Sequence, residues 1–195
     1  MPIKMKKQNS LIILLIVFAL PFIVSYYFLK TQTTNEKLET TNYGTFIEPL
    51  VPIQQFNLKL FDNTILNSDG LKDKWSLIYI TNSHCLERCS SDIHLLRQVH
   101  IALGKDINRV QRIFLTTHNE DISFFKNLTI NYPDLLFSNA SLNPLYEMLS
   151  QISKKGNQIY LIDPGGNAIL SYESNFNGGK LLKDLKKLLK FSKQK

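Results

Sequence analysis

The chain has 195 residues, 44% hydrophobic and 20% charged, with a formal net charge of +7. That composition is globular and excludes collagen-like, coiled-coil and wholly disordered chains. Two cysteines are too few for a disulfide-stapled mini-domain, a Cys-only zinc site or an iron–sulfur cluster held by four cysteines. The positive charge sits at the ends. Lys4, Lys6, Lys7 and Lys30 stand without an acid before residue 31, and seven lysines from Lys180 to Lys195 face only Asp184. The body between is mildly acidic, so no nucleic-acid partner is expected, because duplex binding needs a clustered cationic surface. The C-terminal lysines read as the solvated face of an amphipathic helix, with anionic lipid headgroups as the sharper alternative.

Residues 1–10 precede an uncharged stretch, Leu11 to Leu29. As a helix, nineteen residues span about 30 Å, the thickness of a hydrocarbon core. Pro21 predicts a mild kink, and Tyr26 and Tyr27 fall where an interfacial aromatic belt is expected. The stretch ends in Ser-Tyr-Tyr-Phe-Leu-Lys without a small-x-small cleavage site, which favours an uncleaved anchor over a secretory signal. The lysines before it predict a cytoplasmic N-terminus, with the following chain on the other side of the membrane. Residues 30–43 are polar and aperiodic and read as a tether; 44–195 read as one domain.

Within the domain, Phe56 to Leu60 alternates as a strand, turns at Asp62-Asn63 and returns through Thr64 to Leu66. Asn67 to Lys74 reads as a loop or short turn. Trp75 to Thr81 is a continuous apolar run, the pattern of a central buried strand. After Asn82-Ser83-His84-Cys85-Leu86-Glu87-Arg88-Cys89, apolar residues recur at helical spacing from Ile93 to Leu103, and Gly104 is a stop. Arg112 to Thr116 predicts a second buried strand. A helix then starts at Asp121 and breaks at Pro133, and a shorter one covers Leu142 to Ile152. Gln158 to Asp163, the turn Pro164-Gly165-Gly166-Asn167 and Ala168 to Tyr172 predict a hairpin. Leu181, Leu182, Leu185, Leu188 and Leu189 form the stripe of a final helix. This order is that of a thioredoxin-like α/β domain behind a single N-terminal transmembrane helix.

Cys85 and Cys89 are four apart at a strand-to-helix junction. On a helix they share a face with Cα atoms about 6 Å apart, within disulfide range. Cys85 falls at or before the first turn, where the helix dipole favours a thiolate, and Cys89 suits a resolving thiol. Arg88 and His84 add positive or potentially positive groups nearby. Two soft sulfurs on one face also suit Cu(I). A pair of inert buried cysteines or a static disulfide is the bland alternative. His118 lies just past the second buried strand, where neighbouring parallel strands open onto one edge, and is the candidate third ligand beside Cys85 and Cys89. His84 is adjacent to Cys85 in sequence but is expected to point away; His94 and His100 read as ordinary helix residues.

At this point the chain resembles the Sco/SenC family of membrane-anchored, thioredoxin-fold cytochrome c oxidase assembly proteins. The resemblance runs from about Pro52 to Leu189. It rests on Phe56-Asn57-Leu58 with Asp62, on Leu71 to Tyr79, on Cys85-x-x-x-Cys89, on Ile113 to Thr116 with Asp121, and on Tyr160 to Gly166. It implies that both cysteines and one distant histidine bind copper for delivery to an oxidase subunit. Anchored on Tyr160-Leu161-Ile162, that histidine position falls near Lys155, and no histidine follows His118. The prolines that usually follow each cysteine are replaced by Leu86 and Ser90.

Three readings follow. One is an oxidase accessory factor that handles Cu(I) through Cys85 and Cys89. Another is a membrane-tethered thiol–disulfide oxidoreductase acting on the copper-site cysteines of an oxidase subunit or another copper or thiol protein. The last is a non-catalytic binding module with a structural disulfide. A bacterial inner membrane, with the domain in the periplasm, is expected because no Arg-rich transit segment precedes the anchor.

Overall fold

Trp75–Thr81 is apolar except for Ser76, Thr81 and the tip of Tyr79, and such a strand needs cover on both faces. In the computed structural model, which describes residues 7–35, 41–119, 122–153 and 157–192, all seven of its residues are buried. We label the strands β1 (Thr45–Pro52), β2 (Asn57–Lys59), β3 (Ile65–Asn67), β4 (Trp75–Thr81), β5 (Val110–Thr116), β6 (Leu135–Asn139), β7 (Gln158–Ile162) and β8 (Asn167–Glu173). The helices are α1 (Lys7–Asn35), α2 (Glu87–Ile101), α3 (Ile122–Asn131), α4 (Pro144–Ile152) and α5 (Gly178–Phe191). The main sheet has the order β1-β8-β7-β4-β5-β6, with β4, β5 and β6 parallel and β7, β8 and β1 added antiparallel. β2 and β3 form a separate hairpin.

Period-two alternation sorts the central strands onto two cores. Trp75, Leu77, Tyr79, Phe114, Ile159 and Leu161 pack with the inner faces of α2, α3 and α5. Ile78, Ile80, Ile113, Leu115, Tyr160 and Ile162 pack with Leu145 and Leu149 of α4 and Leu58 and Leu66 of the hairpin. The result is a three-layer thioredoxin-like α/β domain. The structure adds two strands to the sequence-predicted set, β1 and β6. It also begins α4 at Pro144 rather than Leu142, because Leu142 takes a left-handed φ of 62° and Asn143 caps the helix through Leu145 N–H at 3.0 Å.

α1 and the domain from residue 42 are separate compact units. α1 carries Pro21 inside it, and its described large apolar side chains, from Ile13 to Phe28, are exposed. Among the described residues no helix is long and apolar enough to cross a membrane. The side chains of Leu11, Ile12 and Leu29, three of the predicted anchor residues, lie outside the described set. So do residues 1–6, tether residues 36–40, the predicted helix start Asp121, Lys155, Lys193 and Lys195.

His100, on α2, is buried. Its Nε2–H donates to the carbonyls of Val110 at 2.8 Å and Ile107 at 3.0 Å, tying α2 to the start of β5. Desolvation holds its pKa below the ordinary 6.5. The unfolded chain therefore takes up a proton near that value which the folded chain refuses. Stability from this group is complete above about pH 6.5 and declines as pH falls toward the folded pKa, by at most about 1.4 kcal/mol per pH unit. His100→Gln should flatten that limb in urea midpoints followed from neutral to acidic pH; an unchanged slope would reject the assignment.

Candidate functional site

The site lies where β4 hands over to α2. Cys85 and Cys89 are joined in a disulfide with Cα atoms 5.0 Å apart, closer than the 6 Å or so of a regular i, i+4 helical pair because Cys85 precedes the helix. Leu86 is the N-cap residue of α2 and offers no capping side chain, while Leu86 N–H donates to His84 O at 2.9 Å and Ser90 N–H to Leu86 O at 3.0 Å. Cys85 is 9% exposed and Cys89 2%. Both residues are buried in the core under α2, Cys85 the less completely.

The floor is a buried carboxylate that the apolar-stripe reading passed over. Asp92, one turn beyond Cys89, is 3% exposed. It accepts from Tyr79 Oη–H at 3.3 Å, from Asn175 N–H at 3.1 Å and from the Ser174 hydroxyl. These bonds clamp the first turns of α2 against β4 and the segment after β8. Burial, with Asp92 beside it, pushes the Tyr79 phenol above its usual range, so it serves as a neutral donor. Sequence contained one signal for Asp92: an acid inside the buried stripe Cys89, Ile93, Leu96.

The second wall comes from β5. Parallel register pairs Thr81 with Thr116, and Thr117 N–H donates to Thr81 O at 3.2 Å, so the loops after β4 and β5 share one sheet edge. His118 is half-buried there, with its ring centroid 3.5 Å from that of His84 and the rings tilted by 32°. The His84 ring thus meets that of His118. The Nδ1 atom of His118 is buried without a hydrogen-bond partner. His94 is elsewhere on α2, where its Nε2 meets Gln98 Nε2 at 2.9 Å. Among the described residues no group of three or more His, Cys, Asp or Glu side chains is arranged to hold a metal ion.

The sheet order and the cysteine pair at the β4–α2 junction define a thioredoxin-like domain. Residues 75–192, more than half of the chain, match the family of transmembrane-like, thioredoxin-like C-terminal domains, and the chain belongs to that family. No curated protein matches it in sequence. Among solved structures it is similar to apo Sco1 from Thermus thermophilus (19% identity, TM-score 0.62, covering 78% of this chain and 99% of that one). It is likewise similar to yeast Sco1 with copper bound (17% identity, TM-score 0.61, covering 75% and 96%). A third is BsSco, a Sco-family cytochrome c oxidase assembly protein with a disulfide switch (16% identity, TM-score 0.57, covering 74% and 96%). At these identities the likeness establishes the fold.

Proposed function

We propose that this protein is a membrane-tethered accessory factor for assembling the copper centre of cytochrome c oxidase, working by thiol–disulfide exchange at Cys85 and Cys89. The observation that carries this reading is the Cys85–Cys89 disulfide at the head of α2, with Cys85 the less buried of the two residues. In the reduced chain the Cys85 thiolate attacks one sulfur of a partner disulfide, and the partner's other sulfur leaves as a thiolate. Cys89 then attacks Cys85 Sγ in the mixed disulfide and releases the second partner thiolate. The partner gains two electrons, and the Cys85–Cys89 disulfide seen here is the product. An external dithiol must reduce it again.

The setting is supported by the uncharged stretch 11–29, of which the described part is helical, and by Lys4, Lys6 and Lys7 before it. Together they favour a single pass through a bacterial inner membrane, a cytoplasmic N-terminus and a periplasmic domain.

Copper as cargo is a second reading, favoured by the orphaned His118 Nδ1. Once the disulfide is reduced, two thiolates and an imidazole make a donor set suited to Cu(I). Both readings are tested on the full chain in detergent. Under exchange, glutathione opens the disulfide of the wild type and forms no mixed disulfide with Cys85→Ser. Under cargo transfer, the reduced chain also takes up one Cu(I) in chelator competition and Cys85→Ser loses it. A disulfide that withstands excess glutathione in the folded protein would sink both and leave a binding module with a structural cross-link.

A further inference from the structure

Lys180, Lys183, Lys186, Lys187 and Lys190 of α5 are exposed, while the one acid of that helix, Asp184, is buried at 1% exposure. Lys183, Lys186, Lys187 and Lys190 stand at i, i+3, i+4 and i+7 and share one face. Phe191 follows Lys187 by four residues, so it joins that face, and it is 74% exposed. A second element extends the charge. Lys105 and Arg109, from the segment between α2 and β5, line a groove with Lys186 and Lys190. Arg109 is engaged there, donating to Asp106 Oδ1 and to Leu189 O, each at 3.0 Å. Among the described residues, Lys105, Lys186 and Lys190 have no carboxylate partner. A merely solvated helix face needs neither a cation from another element at its edge nor an exposed phenylalanine beside it.

The tether ends on the same helix. Tyr43 N–H donates to both Asp184 oxygens and Gly44 N–H to Oδ2. Lys180 and Lys183 Nζ lie 5.3 and 5.8 Å from the centroid of the Tyr43 ring. On the anchor reading the domain is therefore attached through α5. Anionic headgroups match both features of this face, because each lysine near such a surface strengthens binding about fivefold and an aromatic ring settles at the boundary with the acyl chains. We propose that the lysine face of α5, with Lys105 and Phe191, docks the domain on an anionic bilayer surface, a step that rests on the membrane-tethered reading above. Leu181, Leu185 and Leu189 stay in the core, so the helix lies against the headgroups without inserting its apolar stripe. Trp75 Nε1–H donates to Ser192 Oγ at 3.1 Å, which sets the end of α5 beside the start of β4. The far end of that strand, which leads to Cys85, is about 20 Å away. Docking through the last turns of α5 leaves the disulfide edge uncovered for a partner.

The test uses the full chain in lipid nanodiscs of phosphatidylcholine alone or mixed with phosphatidylglycerol, with lysine acetylation rates read by mass spectrometry. Phosphatidylglycerol should slow Lys105, Lys186 and Lys190 by about fivefold or more relative to Lys59 and Lys74, exposed lysines outside α5. High salt should abolish the difference. In Lys186→Gln/Lys190→Gln, changed only at exposed positions, protection of Lys183 and Lys187 should fall by a similar factor. Equal rates in the two lipids, slowing that survives high salt, or unchanged protection in the double variant overturns the proposal. The anchor reading fails separately: a chain that washes off phosphatidylcholine discs in high salt does not span the membrane, and the same labelling is then read with phosphatidylglycerol vesicles added to it.

Discussion

Replacing Asp184 with alanine is expected to destabilise the domain by about 3–5 kcal/mol, seen as a lower urea midpoint with an unchanged slope. Asp184 sits on α5 at 1% exposure, and four donor contacts converge on its carboxylate. Tyr43 N–H donates to Oδ2 at 2.9 Å and Oδ1 at 3.1 Å, Gly44 N–H at 3.0 Å, and Tyr172 Oη–H at 2.8 Å. These contacts fasten the chain entering β1 to α5 and to β8. Gly44 is required by the same approach, since a Cβ there would come within 2.5 Å of the Tyr172 ring. Burial, reinforced by the carboxylate, raises the Tyr172 phenol above its usual range, so the hydroxyl stays protonated and donating. Alanine removes the acceptor and strands the buried Gly44 amide and the Tyr172 hydroxyl. Asn keeps the shape and one acceptor oxygen, and should recover part of the loss. A cost below about 1 kcal/mol for the alanine variant would show that water replaces the carboxylate.

The parts of this fold readable in advance were those where one physical signal dominated. A short apolar run rich in β-branched and aromatic residues favours a doubly covered strand, and Trp75–Thr81 is one; a Pro-Gly-Gly-Asn turn between β-rich runs makes the β7–β8 hairpin, with Gly166 at φ 82°. β1 and β6 were harder. Thr45–Pro52 contains Pro49 and Pro52, which argue against a strand except at a sheet edge, the place β1 occupies. Leu135–Asn139 is only five residues long and follows directly on Pro133 and Asp134, so its period is too short to register.

Within the site, the cysteine spacing was legible because it lies in one short segment. The His84–His118 contact was not, because it depends on the register between β4 and β5, a long-range property. Pairing Thr81 with Thr116 carries both histidines to the edge that the parallel strand order had already indicated for His118, but local sequence contains no hint that the two rings meet. Asp92 and Asp184 illustrate the converse. Each interrupts an otherwise apolar helical stripe, and each is a buried acceptor for donors from several other segments. Arg112 extends the lesson to β5. It lies inside a buried run at 1% exposure with Nε and Nη1 unpartnered, and burial pushes its pKa down.

Cys89→Ser should trap the partner on Cys85 and abolish turnover. The variant keeps Cys85 near the first turn of α2, where the helix dipole favours an attacking thiolate. Attack on a partner disulfide then proceeds to the mixed disulfide, but serine has no thiolate to displace it. The partner accumulates as a covalent adduct that dithiothreitol releases, visible on a non-reducing gel. Cys85→Ser differs in kind, because the remaining cysteine, Cys89, is the more deeply buried residue at 2% exposure and should form no adduct. Stability supplies an internal control. Opening a loop this short removes about 2 kcal/mol in the chain-entropy account, and both serine variants should lose a similar amount. A difference in adduct formation between them therefore reports which sulfur a partner can reach. Equal adduct yields from the two variants would contradict the division of labour between Cys85 and Cys89.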